Sequence, residues 1–185
     1  MAESDKKTDK GGAHKSPRRQ GRTIAFQVLF SLGFDPQDGA AGVRGTFRRN
    51  PAVLDCESPE AVSFAEDLVM GVTGALDQID GVIGSHSDNW KIARIAKVEL
   101  AILRLALYEI LHRKDIPLKV AINEAIELAK GFGDENSRSF VNGILDAVAR
   151  AVDQGKMGPM DKKMDKKMDK QPEAKAQKPT AKPGK

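Results

Sequence analysis

The sequence predicts an all-α protein, a compact domain of about six to seven helices. Three observations carry that expectation. Aromatic residues make up only 5% of the chain and charged residues 30%, so the core must come mainly from Leu, Ile, Val and Ala, a mixture that suits packed helices better than a β-sandwich. Apolar residues recur at helical spacing in several stretches. Ser-Pro and Gly punctuation falls where such stretches begin and end.

The elements follow in order. Residues 1–15 read as a disordered, charged tail with no apolar segment behind it, and so as no secretory signal. Ser16-Pro17 supplies an N-cap and a proline at the first helical position, and the helix runs to about Leu32 before Gly33 stops it. Residues 35–57 lack periodicity and read as a long loop. Ser58-Pro59-Glu60 repeats the start signal. One helix is then predicted with Val62, Leu68, Val69, Val72, Leu76, Ile79 and Ile83 near helical spacing, despite Gly71 and Gly74. A break over residues 84–89 leads to Trp90 and a short segment. Lys97–Arg113 is expected to be the central helix, because its polar stripe is narrow: Lys97, Arg104, Tyr108 and His112. Arg104 and Tyr108 are expected to be structural, partly buried and satisfied by neighbours. Pro117 opens a helix through Lys130, closed by Gly131 and Gly133, and Asn136-Ser137 begins the last one, ending near Val152. Residues 154–185, with a Met-Asp-Lys-Lys repeat, read as a second disordered tail, which leaves 16–153 as the folded domain.

Charge is unevenly placed. Residues 1–22 carry a net +4 and residues 156–185 a net +6, whereas 23–155 carry −6. A basic fringe on an acidic body fits contact with a polyanion at one edge. No uncharged stretch reaches the ~18 residues that cross a bilayer, and the lone Cys56 can form no internal disulfide; a cytoplasmic protein without membrane contact is expected.

The first helix holds the most information. With Ile24 at 0° and about 100° per residue, Val28, Leu32, Ala25 and Leu29 define a core face near 70°. Phe30 and Arg19 fall nearly opposite, at about 240° and 220°, flanked by Phe26 and Arg22. Arg18, Arg19 and Arg22 also crowd a helix start, where the macrodipole disfavours cations. RNA would explain both features, phosphates taking the guanidinium groups and a splayed base stacking on the ring. Packing of this face on another helix or on the long loop would explain the ring equally well. The last helix adds Asn136, Ser137 and Arg138 in its first turn, whose free backbone N–H groups suit an anion, and Phe140 at the margin of its core stripe. An ordinary capped helix would look the same.

Four segments then carry a resemblance: Arg18-Arg19-Gln20-Gly21-Arg22 with Gln27-Val28-Leu29-Phe30; Ile102-Leu103-Arg104-Leu105-Ala106-Leu107-Tyr108-Glu109; Val120-Ala121-Ile122-Asn123-Glu124-Ala125-Ile126-Glu127-Leu128-Ala129-Lys130; and Phe140-Val141-Asn142-Gly143-Ile144-Leu145-Asp146. In this order, over about residues 17–152, they resemble the NusB family of bacterial transcription antitermination proteins. The resemblance implies two small helical bundles. It also implies pairing with NusE, a small-subunit ribosomal protein, to bind the single-stranded boxA element of ribosomal RNA transcripts and join the elongating RNA polymerase. Carried over by motif, the RNA-binding residues are Arg18, Arg19, Arg22, Phe30, Asn136, Ser137, Arg138 and Phe140, and Glu99 is the residue expected to meet NusE. Gln20 stands where many relatives have Arg, and Phe30 where they usually have Tyr.

No catalytic or metal constellation is expected, and neither is a cofactor. His14, His86 and His112 lack ligand spacing, Gly131-Phe132-Gly133 is too short to cradle phosphate, and Glu124 with Glu127 defines no cleft. Two alternatives remain at this level: a helical adaptor that binds acidic proteins, and a stand-alone relative of the RNA-binding domain of ribosomal RNA methyltransferases.

Overall fold

The computed structural model describes residues 16–87 and 91–156. Both predicted tails, apart from residues 154–156, lie outside these residues, as does Trp90. The described elements are α1 (Pro17–Leu32), α2 (Gly39–Arg49), α3 (Pro51–Leu54), α4 (Pro59–Gly74), α5 (Leu76–His86), a 3₁₀ turn (Ile92–Arg94), α6 (Lys97–His112), α7 (Leu118–Phe132) and α8 (Ser137–Asp153). No strand occurs among them.

The start signals act as their chemistry requires. Ser16 Oγ accepts from the Arg19 N–H and Ser58 Oγ from the Ala61 N–H, each followed by a proline whose missing N–H costs nothing at that position. At the last helix the cap comes from upstream: Asp134 Oδ1 accepts from the backbone N–H groups of Asn136 and Ser137, both at 2.9 Å.

Two sequence expectations require correction. The segment 35–57 is largely helical: α2 buries Val43 and Phe47, and Asn50 caps α3 by accepting the Ala52 N–H. A stripe of two apolar residues on an Arg- and Gly-rich helix is too short to register as periodicity. The helix expected from Pro59 to Ile83 is two, interrupted at Ala75 after Gly74, while α5 continues through the anticipated break to His86.

Helices α1 to α4 form one group and α5 to α8 the other. Their interiors join in one continuous core, with α6 as the seam: it packs on α1 and α4 on one side and on α5, α7 and α8 on the other. Leu103, Leu105, Leu107 and Leu111 are fully enclosed. Two glycines permit the closest approaches. A Cβ on Gly21 would lie 2.8 Å from the Ala61 carbonyl oxygen, and one on Gly71 only 2.0 Å from Tyr108 Cζ. Tyr108 thus fills the space that Gly71 leaves, and Arg104 forms a two-pronged ion pair with Asp80; both are structural, as expected.

Candidate nucleic-acid interface

The arginines of α1 do not stand free. Arg18 lies 3.4 Å from Asp115 with more than half of its side chain in solvent. Arg19 Nε and Nη2 donate to Glu124, at 3.1 and 2.6 Å to Oε1, and the bond to Glu124 raises the guanidinium's already high pKa. Of its five N–H groups these bonds use two, so three remain for another acceptor. Arg22 differs. It is 4% exposed, donates from Nε to both oxygens of Glu109 at 2.9 and 3.1 Å, and approaches Glu124 at 4.0 Å. Burial pushes the Glu109 carboxyl above its usual range, and the Arg22 bond opposes that rise. The expectation that Arg22 contacts RNA is therefore corrected: its guanidinium neutralises an internal carboxylate and has no access to a phosphate.

Phe64 is the hub beneath this cluster. The guanidinium carbons of Arg18, Arg22 and Arg113 lie 5.4, 5.5 and 5.4 Å from its ring centroid. Arg113 also bonds Asp115, which lowers that carboxyl to about 2.

Further along α1 the aromatic rings run in sequence. Phe26, 2% exposed, lies 4.7 Å from Phe132 of α7 and 6.0 Å from Phe30; Phe30 meets the exposed Phe34 edge-on at 5.0 Å. Phe26 is a core residue because the end of α7 covers it. Phe30 is half-buried, not on the open side of the helix as the wheel implied, and it borders solvent between Phe26 and Phe34.

The start of α8 divides its residues. Asn136 and Arg138 are exposed and Phe140 is half-buried. Ser137 is 3% exposed, and its Oγ lies 3.0 Å from both Glu99 Oε1 and Asp134 Oδ1. Ser137 is thus a bridge between α8 and α6, not an RNA contact, because a neutral hydroxyl sealed between two carboxylates has no face left for a ligand. Glu99 is correspondingly half-buried, with one oxygen turned inward to Ser137.

The two flagged regions meet across α7. Glu127, on its outer face, bonds Lys130 at 2.6 Å and feels the charges of both Arg19 and Arg138. Arg138 and Ile126 line one shallow depression of about 420 Å³. Glu124 is the residue that sequence reasoning passed over: it holds Arg19 in place. Its signal was available as a carboxylate inside a distinctive motif with no assigned partner. The edge formed by α1, α7 and the start of α8 thus presents Arg18, Arg19 and Arg138 as exposed cations, and the half-buried Phe30 and exposed Phe34 as rings bordering solvent.

Among the described residues no group of His, Cys, Asp or Glu is arranged to hold a metal ion, and no helix is long and apolar enough to cross a membrane.

Comparison with known proteins bears on the family and the fold. A family model described as the NusB family matches residues 19–150. The transcription antitermination protein NusB of Nitratidesulfovibrio vulgaris (strain DP4) is 49% identical over 143 residues, covering 77% of this chain and 94% of the relative. Among solved structures, NusB of T. maritima superposes with a TM-score of 0.66 at 37% identity, covering 74% of this chain and 92% of its own. A crystal structure of antitermination factors NusB and NusE in complex with dsRNA gives 0.63 at 25% identity, covering 73% and 97%. Family model, relatives and folds converge, and the chain belongs to the NusB family.

Proposed function

We propose that this chain is a transcription antitermination factor that binds the boxA element of ribosomal RNA transcripts as a single strand, together with NusE, and so joins the elongating RNA polymerase in the cytoplasm. It acts by binding and not by catalysis. The observation that carries the reading is the edge of α1, α7 and the start of α8, where exposed guanidinium groups lie at one end and aromatic rings, Phe30 edge-on to Phe34, at the other. Its rings suit unpaired bases, because a base must leave its duplex to stack on a side chain. The comparison with a NusB–NusE–RNA assembly supports the choice of partners.

In this reading Arg18, Arg19 and Arg138 meet phosphates, Phe30 stacks on a base, and Asn136 and Phe140 border the strand near the start of α8. Arg22 and Ser137 serve from within. The outer oxygen of Glu99 is the part of that carboxylate left to meet a basic residue of NusE.

The test is anisotropy with labelled boxA RNA, single-stranded and double-stranded, with and without NusE across a salt series. Tighter binding of the single strand in the presence of NusE is expected. Three phosphate contacts predict a log–log salt slope of about −2 for a single strand. Salt-independent binding, or none with NusE present, would discard the reading in favour of a protein-binding adaptor. Preference for the duplex would discard the role of the rings.

A further inference from the structure

The reading above gives Phe34 no contact of its own and Lys97 no role, and their arrangement calls for an explanation. Phe34 follows the end of α1 and is 63% exposed. Lys97 opens α6, where the helix dipole disfavours a cation. Its Nζ donates to the Gly33 carbonyl and sits 4.9 Å from the Phe34 ring centroid. A single exposed phenylalanine is ordinary. This one is not single: its edge contacts Phe30, which stacks towards Phe26 and Phe132, so it ends a continuous run of rings.

The bond to Gly33 explains why Lys97 is ordered, since the last carbonyls of α1 lack partners within the helix. It does not account for a large ring held in water beside a cation. An ammonium has three N–H donors, and one is used here, so two remain for an anion next to the ring. Ring and spare cation together are the two components of a single-strand subsite, a stacking platform and a phosphate contact.

We infer that Phe34 and Lys97 form an additional nucleotide subsite that extends the RNA track beyond Phe30, the base stacking on Phe34 and its phosphate meeting Lys97. The inference rests on the RNA-binding reading above. Orientation adds a geometric consequence. The Phe34 ring is turned 79° from that of Phe30, so bases on the two rings cannot stack on each other and the strand bends at that step.

The experiment uses the full chain with NusE and labelled single-stranded boxA RNA, both intact and shortened by one nucleotide from either end. Phe34→Ala is expected to weaken binding of the intact RNA about 5- to 30-fold, whereas Phe34→Trp retains it. Removing the nucleotide that occupies the subsite should weaken the parent chain and leave Phe34→Ala unaffected. Lys97→Ala should make the salt slope shallower by about 0.7, and Lys97→Arg should restore it. Thermal melting of Phe34→Ala should match the parent, because most of the ring is in solvent. Equal binding of every RNA by variant and parent would overturn the subsite while leaving the RNA-binding reading intact. Loss of affinity for NusE alone, without RNA, would overturn it in favour of a protein contact. Failure of the parent chain to bind any of the RNAs with NusE would remove the reading and the subsite together.

Discussion

Arg19 and Arg22 stand one turn apart on the same helix, yet they belong to different parts of the molecule. Arg19 meets Glu124 at the surface with half its side chain in water; Arg22 meets Glu109 in the interior, each almost wholly enclosed. Both are ion pairs of good geometry. What separates them is the setting of the partner carboxylate: Glu109 is 1% exposed, whereas Glu124 keeps 14% of its side chain in solvent. Sequence proximity therefore says little about whether an arginine is available to a ligand. The depth of the carboxylate it serves decides that.

The largest expected effect lies on the interior side. Arg22→Ala leaves Glu109 charged and unpaired in the core and should cost about 3–5 kcal/mol in denaturant unfolding. The sign of its pH dependence sharpens the comparison. Burial already raises the Glu109 carboxyl, and without Arg22 it rises further. A raised carboxylate binds protons more strongly in the folded state, so the variant should gain stability relative to the parent as pH falls and lose it as pH rises. Replacing both residues with apolar ones of similar volume should be far milder than either single change. A mild Arg22→Ala phenotype would show that water reaches this pair and erase the distinction from Arg19.

Next in size is Phe30→Ala. It should weaken RNA binding by about 1–3 kcal/mol. Because the ring packs against Phe26 and Phe34, unfolding should also report a loss of about 1 kcal/mol. Full stability with lost binding would place the ring entirely at the surface, and lost stability with intact binding would place it in the core.

Arg19→Ala should leave stability within about 0.5 kcal/mol of the parent, as Arg19 is half-exposed and Arg22 stays beside Glu124. It should reduce RNA affinity and make the salt slope shallower by about 0.7. Unchanged affinity and slope would remove Arg19 from the interface.

The smallest effect concerns Asp115. Arg113 holds its carboxyl down at about 2, below the unfolded value of 3.8, so its contribution is present above that value and is lost as pH falls between the two. Melting temperature followed by pH should therefore decline slightly below about pH 4. Asp115→Asn should flatten that part of the decline; an unchanged curve would assign it to other carboxylates.

Much of the fold was legible because its punctuation is chemical. Ser16-Pro17 and Ser58-Pro59 satisfy helix starts from their own side chains and rings, and α6 declared its central place by its narrow polar stripe. Helix α2 was not legible, since two buried residues set no period. Of the proposed interface, the exposure of Arg18 and Arg19 was legible and the half-burial of Phe30 was not. The error at Arg22 had a visible cause. At about 160° on the wheel it borders Leu29 at about 140°, already on the margin of the core. Glu109, a carboxylate within the helix expected to be most enclosed, required an internal cation. Joining those two observations would have paired them. Phe34 was invisible to the wheel because it follows the last turn of α1.

The grip of Glu124 on Arg19 has a further consequence for recognition. A free arginine on a surface samples many rotamers, and a ligand that immobilises it must offset the lost freedom. Here folding has already fixed the guanidinium plane on Glu124 and left N–H groups unused, so in the proposed function an arriving phosphate would find a docking fixture assembled in advance. Glu124→Ala should therefore slow or loosen RNA capture through disorder of Arg19, even though it removes a negative charge from beside the strand.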